Sequence, residues 1–342
     1  MRQITIRSNE AGQRLDKFLQ KYMKEAPASF FYKMMRKKNI LLNGKKCAGS
    51  EKLAQGDCIR LYLAQETLEK FGAPAAGKTD LSPYEKAYKA VGPLPVLWEN
   101  EHALAVDKPV GLLSQKARPG DLSLNEWLIG YLLQKGDVFA EELSTFRPSV
   151  CNRLDRNTSG IVLCSKSLLG SQELTEAIRE KSARKFYRML AVGRLEKGGV
   201  FEGWERKDTS LNQVRILKTP QKGAQRIRTR IRPLVTGNLP GVGPVTYAEA
   251  ELFTGKTHQI RASLAAMGHP LLGDAKYGGI RTEVLEGYGV LGQMLHACRV
   301  EFDGSLHPDR AGLCGLTLTA PLPQPFERIL AALKDKKDIE VN

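Results

Sequence analysis

The sequence predicts an α+β protein in which a small basic unit precedes a larger domain built on a mixed or antiparallel β-sheet. Two observations favour this class. Short strand-like segments fill the chain from residue 95 onward, and some are separated by tight turns while others are separated by helical stretches. Strands joined both by hairpins and by helices are typical of α+β domains. The predicted strands include 96–98, 103–106, 161–164, 186–192, 246–253 and 316–320, and the predicted helices lie near 123–134, 170–181, 257–267 and 325–334.

The first 63 residues predict two short helices followed by a hairpin and a further strand. The Asn43-Gly44 pair after an apolar run is a strong turn signature, and residues 58–63 alternate as a strand does. Apolar residues recur at helical spacing ahead of that turn, first at Leu15, Phe18, Leu19 and Tyr22, and then, after Pro27, at Phe30, Phe31, Met34 and Met35.

The chain divides into four parts by composition. Residues 64–94 are rich in glycine, alanine and proline around 72–77 and show little apolar periodicity, which predicts a linker. We therefore expect a basic domain over 1–63, a linker over 64–94, a larger catalytic domain over 95–334, and a short tail over 335–342.

The charge of the chain is strongly positive and unevenly distributed. The net charge is +15, with a pI of about 9.5. Residues 1–70 alone hold 15 Lys/Arg against 7 Asp/Glu, a net of +8. A solvated basic surface is the simplest interpretation, but this much excess charge favours an anionic partner. Composition leaves nucleic acid and acidic membrane both open.

The cysteines and histidines do not predict a metal site. The six cysteines lie far apart without a C-x-x-C pair, and the five histidines lack ligand spacing among themselves or with cysteine. We expect reduced thiols in a reducing compartment, which here means the cytoplasm, and no structural zinc. The start of the chain is polar and charged, and no apolar run reaches the length of a membrane span.

One acidic residue stands out because of its neighbours. Asp155 lies between Arg153 and Arg156, and a small, turn-compatible Thr158-Ser159-Gly160 segment leads from it into an apolar strand. Nearby positive charge favours the ionised form of a carboxyl group, and a carboxylate can act as a covalent nucleophile. On composition alone, an exposed loop aspartate paired with a neighbour is the better interpretation.

A series of motifs changes that balance. The segment Arg153-Leu154-Asp155, with Thr158-Ser159-Gly160 after two variable residues, resembles the central motif of the RluA-type pseudouridine synthases. It is most similar to the ribosomal large-subunit enzymes of the RluC and RluD kind. Lys185-Phe186-Tyr187 and the long stretches 254–261 and 268–278 match further family motifs in the expected order, as do 107–111, 295–297 and 320–323. Together these motifs span about residues 95–325.

The resemblance implies roles for individual residues. Asp155 falls on the family's catalytic aspartate, which attacks the ribose anomeric carbon or the base, or promotes elimination to a glycal. Tyr187 would lie against the target base and relay a proton from carbon 5, and Arg261 would pair with Asp155. Ile260 would pack beneath the base, and Arg153 would fill the gap left by the flipped uridine. Lys108 and Lys185 would contact RNA phosphates or loops. The reaction requires no cofactor or metal.

The amino-terminal pattern resembles the small RNA-binding fold named after ribosomal protein S-four. The match rests on Arg14-Leu15-Asp16, the helix over 29–38, Asn43-Gly44 and Gly56-Asp57. It implies that RNA contacts the exposed cations Lys33, Arg36, Lys37, Lys38, Lys45 and Lys46.

We therefore expect an RNA pseudouridine synthase that isomerises uridines of 23S ribosomal RNA or a ribosome precursor, as a monomer without a membrane partner. The alternatives are a transfer-RNA enzyme of the same family and a non-catalytic RNA-binding or ribosome-assembly protein. A glycosidase is a weaker alternative, because no second acid accompanies the motifs. Asn152 replaces the histidine that usually precedes Arg-Leu-Asp in the family, Asn157 replaces a frequent aspartate, and Lys256 replaces a frequent arginine.

Overall fold

The amino-terminal unit packs two short helices on a four-stranded antiparallel sheet. Phe18, Phe31 and Ile59 are fully buried in its apolar core. The strand order in the sheet is β1-β4-β2-β3. This computed structural model describes residues 1–72, 80–208, 213–304 and 311–334. The elements of the unit are β1 (Arg2–Thr5), α1 (Leu15–Tyr22), α2 (Ala28–Arg36), β2 (Ile40–Leu42), β3 (Lys45–Lys46) and β4 (Cys58–Leu61).

The predicted hairpin turn is present between β2 and β3. Asn43 and Gly44 both have positive φ, at 51° and 75°, and Leu42 pairs with Lys45 across the turn. Two successive positive φ angles suit the twist of a tight hairpin, which explains the Asn-Gly pair. The turn leaves Lys45 and Lys46 exposed at the end of the sheet.

The amino-terminal unit is anchored to the rest of the protein by polar contacts. Arg7 forms an ion pair with Glu142 at 2.9 Å and lies over the ring of Phe139. The amide of Asn9 donates to Glu142 at 2.8 Å, and the Thr145 hydroxyl bonds to Glu10. Glu10 and Glu142 are both buried, so this contact excludes water and fixes the unit in one orientation.

The segment predicted as a linker contains two helices, α3 (Gln65–Lys70) and α4 (Ser82–Val91). α4 packs on α5 (Leu124–Lys135), where the backbone oxygen of Tyr84 leaves no room for a side chain at Gly130. The indole of Trp127 donates to the carbonyl oxygen of Gly92 at 2.8 Å. The linker expectation is therefore wrong for 82–91, because the tyrosines of α4 form an apolar stripe within a polar composition. Residues 73–79 and the expected tail over 335–342 lie outside the described residues.

A large sheet of eleven strands forms the body of the second domain. Its main path runs β11-β10-β12-β13-β9-β14-β8-β6-β5, with β15 beside β14 and β7 beside β8. β14 and β8 run parallel and the other described pairs are antiparallel, so the predicted mixed sheet is confirmed. The strands are β5 (Val96–Glu99), β6 (Ala103–Lys108), β7 (Ser149–Val150), β8 (Ser159–Ser165), β9 (Ala183–Val192), β10 (Gly199–Asp208), β11 (Gln213–Leu217), β12 (Gln225–Leu239), β13 (Gly243–Leu252), β14 (Leu295–Phe302) and β15 (Thr317–Thr319).

The two faces of this sheet have different surroundings. We call the side that carries Tyr187 and Ile231 the front face; it packs against α5 and α7 (Gln259–Ala266) in the largest apolar cluster. The opposite side, which carries Phe186 and Leu190, is the rear face. Its two ends are covered by separate clusters that include α6 (Leu168–Arg179) and α9 (Gln324–Lys334), and α8 (Glu283–Gly287) joins the second. None of the described helices is long and apolar enough to cross a lipid bilayer.

Candidate active site

Asp155 lies in the loop that connects β7 to β8. The loop is anchored by Leu154, whose backbone nitrogen and oxygen both bond to the Ser114 hydroxyl, at 3.0 and 2.9 Å. The Thr158 amide donates to the backbone oxygen of Asp155 at 3.0 Å and closes the turn. The Asp155 side chain stays 28% exposed, so a ligand can reach the carboxylate.

The base of this loop is held against β14. A side-chain carbon at Gly160 would lie 2.2 Å from the backbone oxygen of Ala297, and Gly160 has a φ of +108°, so both space and conformation require glycine. The Ser159 hydroxyl contacts Nδ1 of the fully buried His296 at 2.9 Å. Gln293 donates to the Thr158 hydroxyl at 3.2 Å. These contacts fix the position from which Asp155 projects.

Arg261 connects Asp155 to a second carboxylate. It projects from α7, and its Nη1 donates to Oδ2 of Asp155 at 2.7 Å. Its Nε and Nη2 form a two-bond grip on Asp274, at 2.7 and 2.8 Å. Burial lowers the pKa of Arg261, but the bonds and charges of Asp274 and Asp155 outweigh it and raise that pKa above its ordinary value. The guanidinium is therefore a permanent, oriented cation beside Asp155.

Tyr187 projects from β9 toward the same place. The tyrosine is 7% exposed and belongs to the front-face cluster that also contains Leu154 and Ile260. Burial raises the pKa of the Tyr187 phenol, and the charge of Asp155 raises it further. The structure thus brings three of the sequence-predicted residues, Asp155, Arg261 and Tyr187, into one neighbourhood.

Two further side chains approach Asp155 without having been predicted to do so. Nε2 of His258 lies 3.8 Å from Oδ2 of Asp155, and Nδ1 of His258 contacts the Tyr277 hydroxyl at 2.9 Å. The Arg261 guanidinium lies over the Tyr277 ring, 5.2 Å from its centroid. Burial lowers the pKa of His258, against the opposing effect of Asp155.

Asp274 is the other functional residue that sequence reasoning missed. Its side chain is 1% exposed, and its partner Arg261 lies thirteen positions earlier in the chain. A buried carboxylate needs a cationic partner, and an acid that follows the apolar Leu271-Leu272 pair is a sequence sign of such burial. The pairing itself could not be read from spacing.

Of the two contacts expected for Lys108, with RNA phosphates or with loops, the structure shows the loop contact. Lys108 is fully buried and not accessible to RNA, and its ammonium donates to three backbone oxygens. These belong to Pro109, Leu112 and Arg156, at 2.8, 2.8 and 3.2 Å. Burial lowers the pKa of Lys108 to about 7, and the charge of Asp155 opposes that shift. Lys108 supports the Asp155 loop because three inward-facing carbonyls need a donor.

The other expected site residues differ in exposure. Arg153 is exposed beside Asp155, Ile260 is buried at 3% exposure, and Lys185 is half-buried, with a pKa that burial lowers. Asn152 bonds along β8, accepting from the Leu163 amide at 2.7 Å. Asn152 therefore stabilises the strand that follows the loop. The six cations expected to bind RNA are all exposed on the amino-terminal unit: Lys33, Arg36, Lys37, Lys38, Lys45 and Lys46.

The arrangement offers acid–base and nucleophilic groups rather than a metal centre. Across the described residues, no group of three or more histidine, cysteine, aspartate or glutamate side chains is placed to hold a metal ion. A reachable carboxylate, a buried protonated phenol and a fixed guanidinium are suited to bond cleavage at a sugar and to proton transfer.

Comparison with known proteins agrees with this site. The family model for RNA pseudouridylate synthase matches residues 102–266, the range that contains Asp155, Tyr187 and Arg261. A ribosomal large subunit pseudouridine synthase C of Pasteurella multocida is 30% identical, over 98% of this chain and 95% of its own. A ribosomal large subunit pseudouridine synthase D of Xylella fastidiosa is 28% identical, over 98% and 93%.

A solved structure shares the fold. The human RNA pseudouridylate synthase domain containing 4 protein superposes with a TM-score of 0.54 over 74% of this chain and 97% of its own, at 19% identity. At that identity the likeness supports the fold alone. The full-length similarity to the bacterial relatives carries the assignment: the chain belongs to the RluA-type family of RNA pseudouridine synthases and is an isomerase that acts on RNA.

Proposed function

We propose that this enzyme converts specific uridines of large-subunit ribosomal RNA into pseudouridine, with Asp155 as the catalytic carboxylate. The observation that carries the proposal is the contact of Asp155 with Arg261. Arg261 and His258 both face Oδ2, so Oδ1 of Asp155 is the atom left to act on the nucleotide. The two-bond grip of Asp274 on Arg261 keeps this arrangement rigid before the substrate arrives.

The reaction cleaves the bond between uracil nitrogen 1 and the ribose, turns the base, and rejoins it through carbon 5. The target uridine must leave its stack to reach Asp155, which costs a few kcal/mol. Arg153, which is exposed two residues before Asp155, would fill the gap that the uridine leaves. Tyr187 stacks on the base. Its phenol begins protonated, so its oxygen takes the proton that carbon 5 gives up as its own hydroxyl proton passes to solvent, and nitrogen 1 takes up a proton to complete the isomerisation. Stacking of this kind contributes about 1–3 kcal/mol per base.

The target class is supported by the relatives and by the charge of the chain. Both bacterial relatives described above are named as ribosomal large-subunit enzymes and align over nearly the whole chain. The exposed cations of the amino-terminal unit would position a structured RNA over the second domain, acting as a separate grip on phosphates. A ribosomal substrate implies work in the cytoplasm, and we propose that the enzyme works there as a monomer.

The test is release of tritium from carbon 5 of uracil in transcripts labelled at that atom. Large-subunit ribosomal RNA should release label under single-turnover conditions, and a mixture of transfer-RNA transcripts should not. Asp155→Asn should abolish release while keeping RNA affinity, because it removes charge with little change of shape. Glu85→Gln, on the exposed face of α4, serves as the matched control. Release from transfer RNA alone would show that transfer RNA, and not ribosomal RNA, is the substrate. Binding without release would indicate a non-catalytic RNA-binding protein.

A further inference from the structure

The rear face of the large sheet carries a dense group of arginines remote from Asp155. Four of them alternate along β12 with residues that point to the front, such as Thr229 and Ile231, which are buried. Alternate residues of a strand lie about 6.8 Å apart on one face. We call the group the arginine plate: Arg184, Arg188, Arg226, Arg228, Arg230, Arg232 and Arg299.

Strand register places these residues on one continuous surface. Arg230 on β12 pairs with Glu251 on β13, Glu251 pairs with Phe186 on β9, and Phe186 pairs with Arg299 on β14. Adjacent strands lie about 4.8 Å apart, so this one row crosses four strands. Arg188, Glu249 and Arg232 form the next row in the same way.

The guanidinium groups are held in place from beneath. Glu251, whose side chain is 5% exposed, accepts from Arg184 and Arg230 at 2.9 and 2.8 Å. Glu249, at 9% exposure, lies within 3.2 Å of both Arg188 and Arg232. Aromatic rings support the plate too: Arg184 and Arg299 lie over Phe186, and Arg228 and Arg230 lie over Phe253. Buried carboxylates and rings thus fix the orientation of cations that stay accessible.

Enough hydrogen-bonding capacity is left on the plate for a ligand. A guanidinium has five N–H donors, and the ion pairs of each plate arginine use one or two of them. The side chains of Arg226, Arg230 and Arg232 are 64%, 52% and 63% exposed. The seven arginines outnumber the four glutamates among them, Glu202, Glu249, Glu251 and Glu301, and leave a net charge of +3.

The choice of residue indicates what the ligand is. The chain has 28 lysines and 24 arginines, yet every cation of the plate is arginine. A merely solvated face has no reason to exclude lysine. Arginine differs from lysine in presenting a planar fork that matches the oxygens of phosphate. Phosphates in series, rather than a single anion, fit cations that repeat along β12 and recur on β9 and β14.

The location of the plate separates it from catalysis. Tyr187 and Phe186 are neighbours on β9 and project to opposite faces, so a nucleotide at Asp155 cannot touch the plate. The apolar clusters with α6 and α9 cover the two ends of the rear face. Among residues 1–72, 80–208, 213–304 and 311–334, neither cluster extends over the plate between them.

We propose that the arginine plate is a second RNA-binding surface, which grips backbone phosphates of a helix or strand distant in the same RNA from the target uridine. The proposal rests on the proposed function, because it requires an RNA large enough to reach both faces of the sheet. Such a surface selects large folded RNA over an isolated hairpin without reading any base.

The test compares two RNAs and two matched double variants. Arg230→Gln with Arg232→Gln removes two plate cations. Glu251 still has its ion pair with Arg184, and Glu249 still has its ion pair with Arg188, so neither buried carboxylate loses all its partners. Lys86→Gln with Lys89→Gln removes the same charge from the exposed side of α4. The RNAs are a full-length large-subunit ribosomal transcript and a short hairpin cut from it. The dissociation constant of each is measured over a series of salt concentrations.

The plate variant should bind the full-length transcript more weakly, with a salt slope that falls by about 1.4 to 1.8, the value for two lost phosphate contacts. Its affinity for the hairpin should match the wild type, and the α4 variant should change neither. An unchanged slope for the full-length transcript would overturn the proposal, as would equal weakening with both RNAs. Failure of the proposed function is seen separately, as absence of tritium release by the wild type.

Discussion

The Tyr277 hydroxyl joins the Val214 amide to His258. Its oxygen accepts a hydrogen bond from the Val214 amide at 2.9 Å and lies 2.9 Å from Nδ1 of His258. When the hydroxyl donates to Nδ1, the ring hydrogen of the neutral imidazole is on Nε2, the nitrogen that faces Asp155. Nε2 lies 3.8 Å from Oδ2 of Asp155, which is longer than a hydrogen bond, and we expect the two atoms to close to hydrogen-bond distance when RNA binds.

Two substitutions at His258 separate the role of its ring nitrogens from the effect of its backbone conformation. His258 has a φ of 53°, a left-handed conformation that asparagine tolerates better than most residues. Asparagine replaces Nδ1, whereas glutamine reaches the position of Nε2. We expect His258→Gln to keep more single-turnover activity than His258→Asn, which should lose about 2- to 12-fold, the value of one hydrogen bond of 0.5–1.5 kcal/mol.

Binding and stability measurements complete that comparison. Both variants should bind RNA as the wild type does, and His258→Asn should unfold at the same urea concentration or a higher one. Tyr277→Phe should resemble His258→Asn in rate, with Tyr288→Phe as its control. Equal rates for the asparagine and glutamine variants would reject a role for the Nε2 donor.

The buried pair of Arg261 and Asp274 should stabilise both the fold and the site. Removing one partner of a buried ion pair costs about 3–5 kcal/mol, because the other charge is left without compensation. We therefore expect Asp274→Ala to lower the free energy of unfolding by that amount, and Asp274→Asn by less, since it keeps the shape and one acceptor. Both should slow turnover, because Arg261 is then free to leave Asp155.

Urea unfolding and single-turnover rates check this expectation. Glu176→Ala is the control, since its ion pair with Arg179 is exposed and contributes about 0–1 kcal/mol. If Asp274→Ala and Glu176→Ala lower the free energy of unfolding equally, the ion pair between Arg261 and Asp274 does not stabilise the fold as expected.

His296 should make the protein sensitive to acid. Burial lowers its pKa from the ordinary 6.5 to about 4, so as the pH falls the unfolded chain takes up the proton first. The stability that neutral His296 contributes is fully present above pH 6.5 and is lost as the pH falls toward 4. The loss is about 3 kcal/mol, from about 1.36 kcal/mol per pKa unit. Urea unfolding at pH 7.5 and pH 4.5 measures it.

A variant isolates the histidine in that measurement. His296→Asn keeps a polar atom near the Ser159 hydroxyl, contacted at 2.9 Å, but does not titrate. Its stability should change less between the two pH values than that of the wild type, whereas the partly exposed His102→Asn should behave as the wild type does. Equal acid sensitivity of His296→Asn and the wild type would assign the effect to other groups.

Local patterns predicted much of this structure because their causes are local. The Asn43-Gly44 turn follows from backbone conformation, and the helices and strands follow from apolar periodicity. The approach of Arg261 to Asp155 was expected only through family resemblance, since 106 positions separate them. Composition and spacing contain no information on such distant contacts.

The errors have a common physical origin. Lys108 was expected to be a substrate contact, with RNA phosphates and loops both open, whereas here three backbone oxygens replace water around its ammonium. The helix α4 was taken for a linker because its tyrosines are few among polar residues. Asp274 was overlooked because its partner is brought to it by the turn after α7. Each case depends on burial that only the folded chain creates.

The cations of the amino-terminal unit should bind RNA independently of the catalytic loop. Deleting residues 1–63 is an ambiguous test, because it uncovers Glu142 and Thr145, which that unit buries. Point substitution is cleaner: Lys45 and Lys46 make up the short strand β3 at the edge of the sheet and are both exposed, so replacing both with glutamine should leave the fold intact.

We expect Lys45→Gln with Lys46→Gln to weaken binding of the short hairpin and the full-length transcript alike, if the amino-terminal unit grips RNA next to the target uridine. The salt slope should fall by about 1.4 to 1.8 for two phosphates. The single-turnover rate at saturating RNA should stay that of the wild type, since Asp155, Arg261 and Tyr187 are untouched. Filter binding over a salt series gives the slope, and Lys86→Gln with Lys89→Gln controls for net charge. A lower saturated rate with an unchanged slope would mean that the unit acts on catalysis and not on RNA affinity.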